Sequence, residues 1–143
     1  MANFFKRLFT IGKSNAHAAL DNFENPIKMT EQGIRDLKED LNKSIAGLAE
    51  VKGLAIRAKR DAEKQKEIAS EYERKARLLL QKGQQGQVDS AEADRLASEA
   101  LVKKEAAMKD AVMHSSHEQK HKELSAKLEA SVKTLKSKIS SYE

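Results

Sequence analysis

Ile34-Arg35-Asp36-Leu37-Lys38-Glu39-Asp40-Leu41-Asn42-Lys43-Ser44-Ile45-Ala46-Gly47-Leu48-Ala49-Glu50-Val51 places apolar side chains at alternating steps of three and four residues. A half-buried strand would alternate every second residue. Steps of three and four instead bring one stripe to one side of a helix. Followed onward, the repeat gives a positions at Ile34, Leu41, Leu48, Ala55, Ala62, Ala69 and Ala76. It gives d positions at Leu37, Ser44, Val51, Ala58, Gln65, Tyr72 and Leu79. Only Ser44 and Gln65 break the apolar line, which is a sustained coiled-coil pattern. The seam passes from large side chains to alanine, which lets helices approach closely but buries little area per residue.

Working outward, Asn25-Pro26 punctuates the chain before this pattern. Proline suits a first helical position, and the asparagine before it can cap. The spacing therefore predicts a helix over 26–80. Residues 81–89, Gln-Lys-Gly-Gln-Gln-Gly-Gln-Val-Asp, read as a loop in which Gly83 and Gly86 stop the helix. Asp89 with Glu92 resembles a capping box. A further helix is predicted over 90–143, with a seam through Ala97, Leu101, Met108, Ala111, Leu124, Leu128, Leu135, Ile139 and Tyr142. Lys104 falls on the same line, and its middle is weak. Each helix would span roughly 80 Å. Similar lengths and a short loop imply an all-α fold, a long antiparallel coiled-coil hairpin over 25–143.

Composition agrees. The chain has 143 residues, 34% of them charged and only 4% aromatic, with one proline and no cysteine. Disulfides and thiolate metal sites are thereby excluded. Mean hydropathy is −0.69, and no run is long and apolar enough for a transmembrane helix. Disorder is the competing reading for so polar a chain. Acids four residues ahead of bases argue against it, as at Glu31–Arg35, Glu73–Arg77 and Glu118–Lys122. Each such pair supports a helix by about 0.3 kcal/mol. Gly33, Gly47 and Gly53 oppose it at about 1 kcal/mol each. They mark either close contacts or tolerated surface positions.

Residues 1–24 form a different segment, predicted as a short amphipathic helix. Met1, Phe4, Phe5, Leu8, Phe9 and Ile11 fall on one side, and Lys6, Arg7 and Lys13 on the other. No acid precedes Asp21. A secretory signal needs an unbroken apolar core, which Lys6 and Arg7 interrupt. The chain thus reads as unprocessed and cytoplasmic. Apolar area on one face with cations on the other is what an interfacial membrane helix requires. Phe4, Phe5, Leu8, Phe9 and Ile11 could gain on the order of 7–15 kcal/mol gross if fully buried. Each cation adds about 1 kcal/mol near an anionic surface. The alternative is packing of this face on the hairpin or on a neighbouring subunit.

No catalytic constellation occurs, so no enzyme activity and no cofactor are expected. Lys82-Gly83-Gln84-Gln85-Gly86 lacks the ending of a phosphate loop. Basic residues alternate with acids along the hairpin, without an aromatic platform for nucleic acid. His114, His117 and His121 stand three and four residues apart. Their readings are a polar stretch of hairpin, a transition-metal site or a pH sensor. The first is preferred, and no metal residues are assigned.

Phe23-Glu24-Asn25-Pro26-Ile27-Lys28-Met29, followed by Gln32-Gly33-Ile34-Arg35-Asp36-Leu37, resembles the start of the phage shock protein A family. That family includes the vesicle-inducing protein in plastids and is related to ESCRT-III. The resemblance runs from Met1 through the hairpin. It implies a peripheral membrane protein on the cytoplasmic face of the inner membrane. It also implies a homo-oligomer, as rings or helical rods, that protects or remodels anionic membrane under envelope stress. By position, Phe4, Phe5, Lys6, Arg7, Leu8, Phe9, Ile11 and Lys13 would meet the membrane. Ile34, Leu37, Leu41, Leu48, Val51, Tyr72, Leu79, Leu101 and Met108 would line the hairpin seam. Some relatives restrain an AAA+ transcription activator through the hairpin, and a soluble regulator of that kind is the alternative function. Members usually continue into further C-terminal helices, which this sequence lacks.

Overall fold

A computed structural model describes residues 30–143 as two long α-helices. Helix α1 is Glu31–Gln84, and α2 is Ser90–Tyr142. The fold is all-α, a helical hairpin. Residues 26–29 lie outside the described ones, so the Asn25-Pro26 cap does too. Within the described residues the start of α1 differs from the expected Pro26. Thr30 stands outside the helix, and its Oγ1 accepts the N–H of Gly33 at 3.1 Å. A threonine in this position satisfies one of the donors that a helix start leaves open.

The other end of α1 also differs from expectation. The helix runs on to Gln84, so Gly83 lies inside it. Gly86 alone makes the stop, with φ +74°. Gln87 N–H donates to the Lys82 carbonyl at 3.0 Å, and Gly86 N–H to the Gly83 carbonyl at 3.3 Å. These two bonds close a Schellman motif, which needs a left-handed residue where Gly86 sits. Gly83 serves a close approach instead: a Cβ there would stand 2.8 Å from the Ala93 Cβ. At the start of α2 the Asp89 carbonyl accepts the Ala93 N–H at 2.8 Å. Glu92 does not complete a capping box but turns forward onto Arg95.

The hairpin divides into two compact units. One joins the chain up to Lys52 with Glu123–Glu143, and the other is Gly53–Lys122. In the first, Val51 and Leu128 are buried together, with Leu48 and Leu124 packed against them. Val132, Leu135 and Ile139 are buried as well. Ser44 is fully buried, and its hydroxyl donates to the Asp40 carbonyl one turn back at 2.7 Å. That bond explains how a polar residue occupies a d position without an open donor. Lys38 meets Glu143 at 2.6 Å, and Lys52 meets Glu129 at 3.9 Å.

The second unit is built on alanine. Ala55, Ala58, Ala62, Ala69 and Ala76 of α1 are buried, as are Ala93, Ala97, Ala100, Ala107 and Ala111 of α2. Tyr72 and Leu79 pack against Ala76, Ala97 and Ala100. Glu73 reaches Lys104 on the other helix at 3.6 Å.

Candidate functional site

Of the residues expected to carry function, Phe4, Phe5, Lys6, Arg7, Leu8, Phe9, Ile11 and Lys13 lie outside the described residues. The seam residues lie within them. Ile34, Leu37, Leu41, Leu48, Tyr72 and Leu79 are half-buried, and Val51 is buried. All other a and d positions of α1 are buried or half-buried too, Gln65 included.

On α2 the inward line departs from the expected seam at Leu101 and Met108, while Ala97, Ala111, Leu124, Leu128, Leu135, Ile139 and Tyr142 are buried or half-buried. Leu101 is 42% exposed and Met108 43% exposed. The inward positions are Ala97, Ala100, Lys104, Ala107 and Ala111, then His114, Glu118, His121, Ser125 and Leu128. Their steps alternate strictly between three and four. Leu101 stands one residue from Ala100, and Met108 one from Ala107. One residue is a turn of about 100° around the helix, which swings both side chains off the seam. Bulk suggested the wrong stripe, because here alanine faces inward and the larger side chains face out.

The histidines separate in the same way. His114 and His121 are half-buried on the inward line, and His117 is exposed. The rings of His114 and His117 are edge to face, with centroids 6.4 Å apart. Glu118 lies between the two inward histidines, its side chain 17% exposed and its carboxylate 3.1 Å from Lys122. Among the described residues no three His, Cys, Asp or Glu side chains are grouped so as to hold a metal ion. His114, Glu118, His121 and Ser125 make this stretch of the inward line polar.

Charge on the outer surface is arranged in short-range pairs. Glu31–Arg35, Glu39–Lys43 and Glu73–Arg77 meet at 3.7, 3.3 and 2.8 Å. Arg95 holds both Glu92 and Glu99, the latter at 3.0 Å. Hydrogen bonding and the charge of Arg95 lower the Glu92 pKa below its ordinary 4.5. Lys138 is shifted down from 10.5 by partial burial. Tyr72 has Lys75 of its own helix 5.3 Å from the ring centre and Lys103 of the other helix at 5.8 Å. Cations over an aromatic face attract it modestly. The ring they approach is the one that packs against Ala76, Ala97 and Ala100. No described helix is long and apolar enough to cross a membrane.

Comparison with known proteins fits this architecture. A match to the PspA/IM30 family covers residues 3–143. The chain is 27% identical over 138 residues to the chloroplastic membrane-associated protein VIPP1 of Oryza sativa subsp. japonica. That match covers 96% of this chain and 41% of the relative. It is 34% identical over 104 residues to the membrane-associated protein Vipp1 of Nostoc punctiforme, covering 70% of this chain and 35% of the relative. The matches thus take in less than half the length of either relative. No solved structure gives a significant match. The hairpin and the span of the family match together place this chain in the PspA/IM30 family, a non-enzymatic structural family.

Proposed function

We propose that this chain is a peripheral membrane-binding, self-assembling scaffold that protects or remodels the membrane under envelope stress. The observation that carries the reading is family membership, with two relatives both named as membrane-associated. Physical chemistry supports it independently. The segment 1–24 combines the apolar face of Phe4, Phe5, Leu8, Phe9 and Ile11 with Lys6, Arg7 and Lys13. Such a segment enters the acyl boundary with one face and meets anionic headgroups with the other. The hairpin supplies the structural part. It leaves large apolar side chains exposed on both helices, including Ile56 of α1 and Val112 of α2. Association between copies would remove such area from water.

Liposome flotation tests the membrane half. The intact chain is expected to float with anionic vesicles and less with neutral ones. A Phe4→Glu, Phe9→Glu double variant should stay at the bottom while keeping its helical circular dichroism. Equal flotation of the variant would remove the N-terminal face from the mechanism. If neither protein floats, the apolar face serves a protein contact, and the soluble regulator of an AAA+ activator becomes the better reading.

A further inference from the structure

The outer side of α2 repeats itself when read backwards. On the side turned away from the alanine seam lie Ser98, Val102, Glu105, Lys109, Val112 and Ser116, all exposed. Their spacing is again four, three, four, three, four. They therefore form a second, outward stripe of coiled-coil geometry on the same helix. Val102 is 68% exposed and Val112 67%. Leu101, Met108 and Met113 flank the stripe and are 42–47% exposed. Exposed apolar residues scattered singly need no explanation, but a contiguous group on one helix face does. All of these residues belong to the unit Gly53–Lys122.

The order of residue types identifies the occupant. Read from either end, the stripe runs serine, valine, charge, charge, valine, serine. The two charges are opposite, Glu105 and Lys109. If a second copy lies antiparallel on this face, with a two-fold axis at the level of residue 107, Ser98 meets Ser116 and Val102 meets Val112. Glu105 meets Lys109 twice, once on each side of the axis. Leu101 and Met113 then flank the valine layers at both ends. A two-fold interface must be self-complementary, with residue i meeting j and j meeting i. This stripe meets that condition in its apolar layers and in its charges. A parallel, in-register pairing would instead set Glu105 against Glu105 and Lys109 against Lys109, which is repulsive.

We propose that two copies of this chain pair antiparallel through the outer face of α2, with the Val102–Val112 layers and the reciprocal Glu105–Lys109 pairs at the centre. The proposal deepens the self-assembly half of the proposed function and is independent of its membrane half. Pairing of this kind needs no lipid.

The test uses the full chain in lipid-free buffer. Since the natural sequence has no cysteine, Val102→Cys and Val112→Cys give two proteins with one thiol each. Both positions are exposed, so folding should be unaffected, as circular dichroism can verify. In the antiparallel pair, residue 102 lies beside 112 of the partner, but the two 102 positions are separated by about 15 Å. A disulfide needs Cα atoms within about 7 Å. With diamide as oxidant, the mixture should form the crossed dimer, and neither protein alone should form its own. Efficient dimers from Val102→Cys alone would overturn the proposal in favour of a parallel pairing. No cross-link in any tube would overturn it outright. Charge exchange gives a second arm. Glu105→Lys alone and Lys109→Glu alone should each weaken self-association by about tenfold or more, since every central pair becomes like-charged. An equimolar mixture of the two should restore it, measured by sedimentation velocity. Unchanged association of the single variants, or no recovery on mixing, would also overturn the proposal.

Discussion

The two units of the hairpin solve one packing problem with different side chains. Where the chain up to Lys52 meets Glu123–Glu143, the buried apolar side chains are Leu, Val and Ile, with Leu128 0% exposed. Across Gly53–Lys122 it is mostly alanine. Large interlocking side chains bury much area each and leave a cavity when shortened. Alanine buries little per residue, but it brings the helix backbones close. The first kind of interior is sensitive to removal of atoms, and the second to their addition.

That contrast can be broken directly. Leu128→Ala should cost about 2–5 kcal/mol, the range for fully buried leucines. Urea unfolding followed by circular dichroism would measure it as a lower midpoint. A loss near 0.5 kcal/mol would mean that Leu128 can be replaced by local collapse, and the first unit would then resemble the second. In the alanine unit the informative change is the reverse. Ala111 is 1% exposed, and Ala111→Leu adds three carbons to a seam without space for them. Overpacking of that kind costs about 1–3 kcal/mol. A gain in stability instead would show that the alanine seam is loose, since extra apolar area would then be buried without strain.

The same contrast explains what could be read from sequence. The α1 seam was legible from Ile34 to Leu79, because its early large residues set a register that the later alanines continue. The α2 seam was legible at Ala97 and Ala111 and again at Leu124, Leu128, Leu135 and Ile139. Between Ala97 and Ala111 the inward positions beside Lys104 are Ala100 and Ala107, while Leu101 and Met108 sit one residue away and look more like core. Bulk is a poor guide where alanine is the packing residue. Strict continuation of the three-four steps back from Leu128 would have found the correct line. It would also have separated His117 from His114 and His121. The Thr30 cap carried a weak signal, a threonine ahead of Glu31 in the first turn. The extension of α1 past Gly83 carried none, because only the partner Ala93 shows why that glycine is needed. The membrane-binding face proposed for 1–24 lies outside the described residues and rests on its amphipathic pattern and on the family.

Two glycines sharpen the comparison at a smaller scale. Gly53 and Gly83 both lie inside α1 and both belong to the alanine-lined unit. A Cβ at Gly53 would meet nothing within 4 Å, whereas one at Gly83 would stand 2.8 Å from the Ala93 side chain. Gly53→Ala should therefore stabilise by about 1 kcal/mol, through helix propensity and a less flexible unfolded chain. Gly83→Ala carries the same propensity gain, but one of the two methyl groups must move. Its net effect should fall below that of Gly53→Ala and turn negative if the helices cannot part. Pairing it with Ala93→Gly removes the clash and should recover much of the difference. A double-mutant cycle on the two positions reads this as a coupling. Zero coupling, with equal gains from both alanines, would mean that the helices do not approach closely at this end. The alanine and glycine positions there would then reflect helix propensity and turn formation rather than packing.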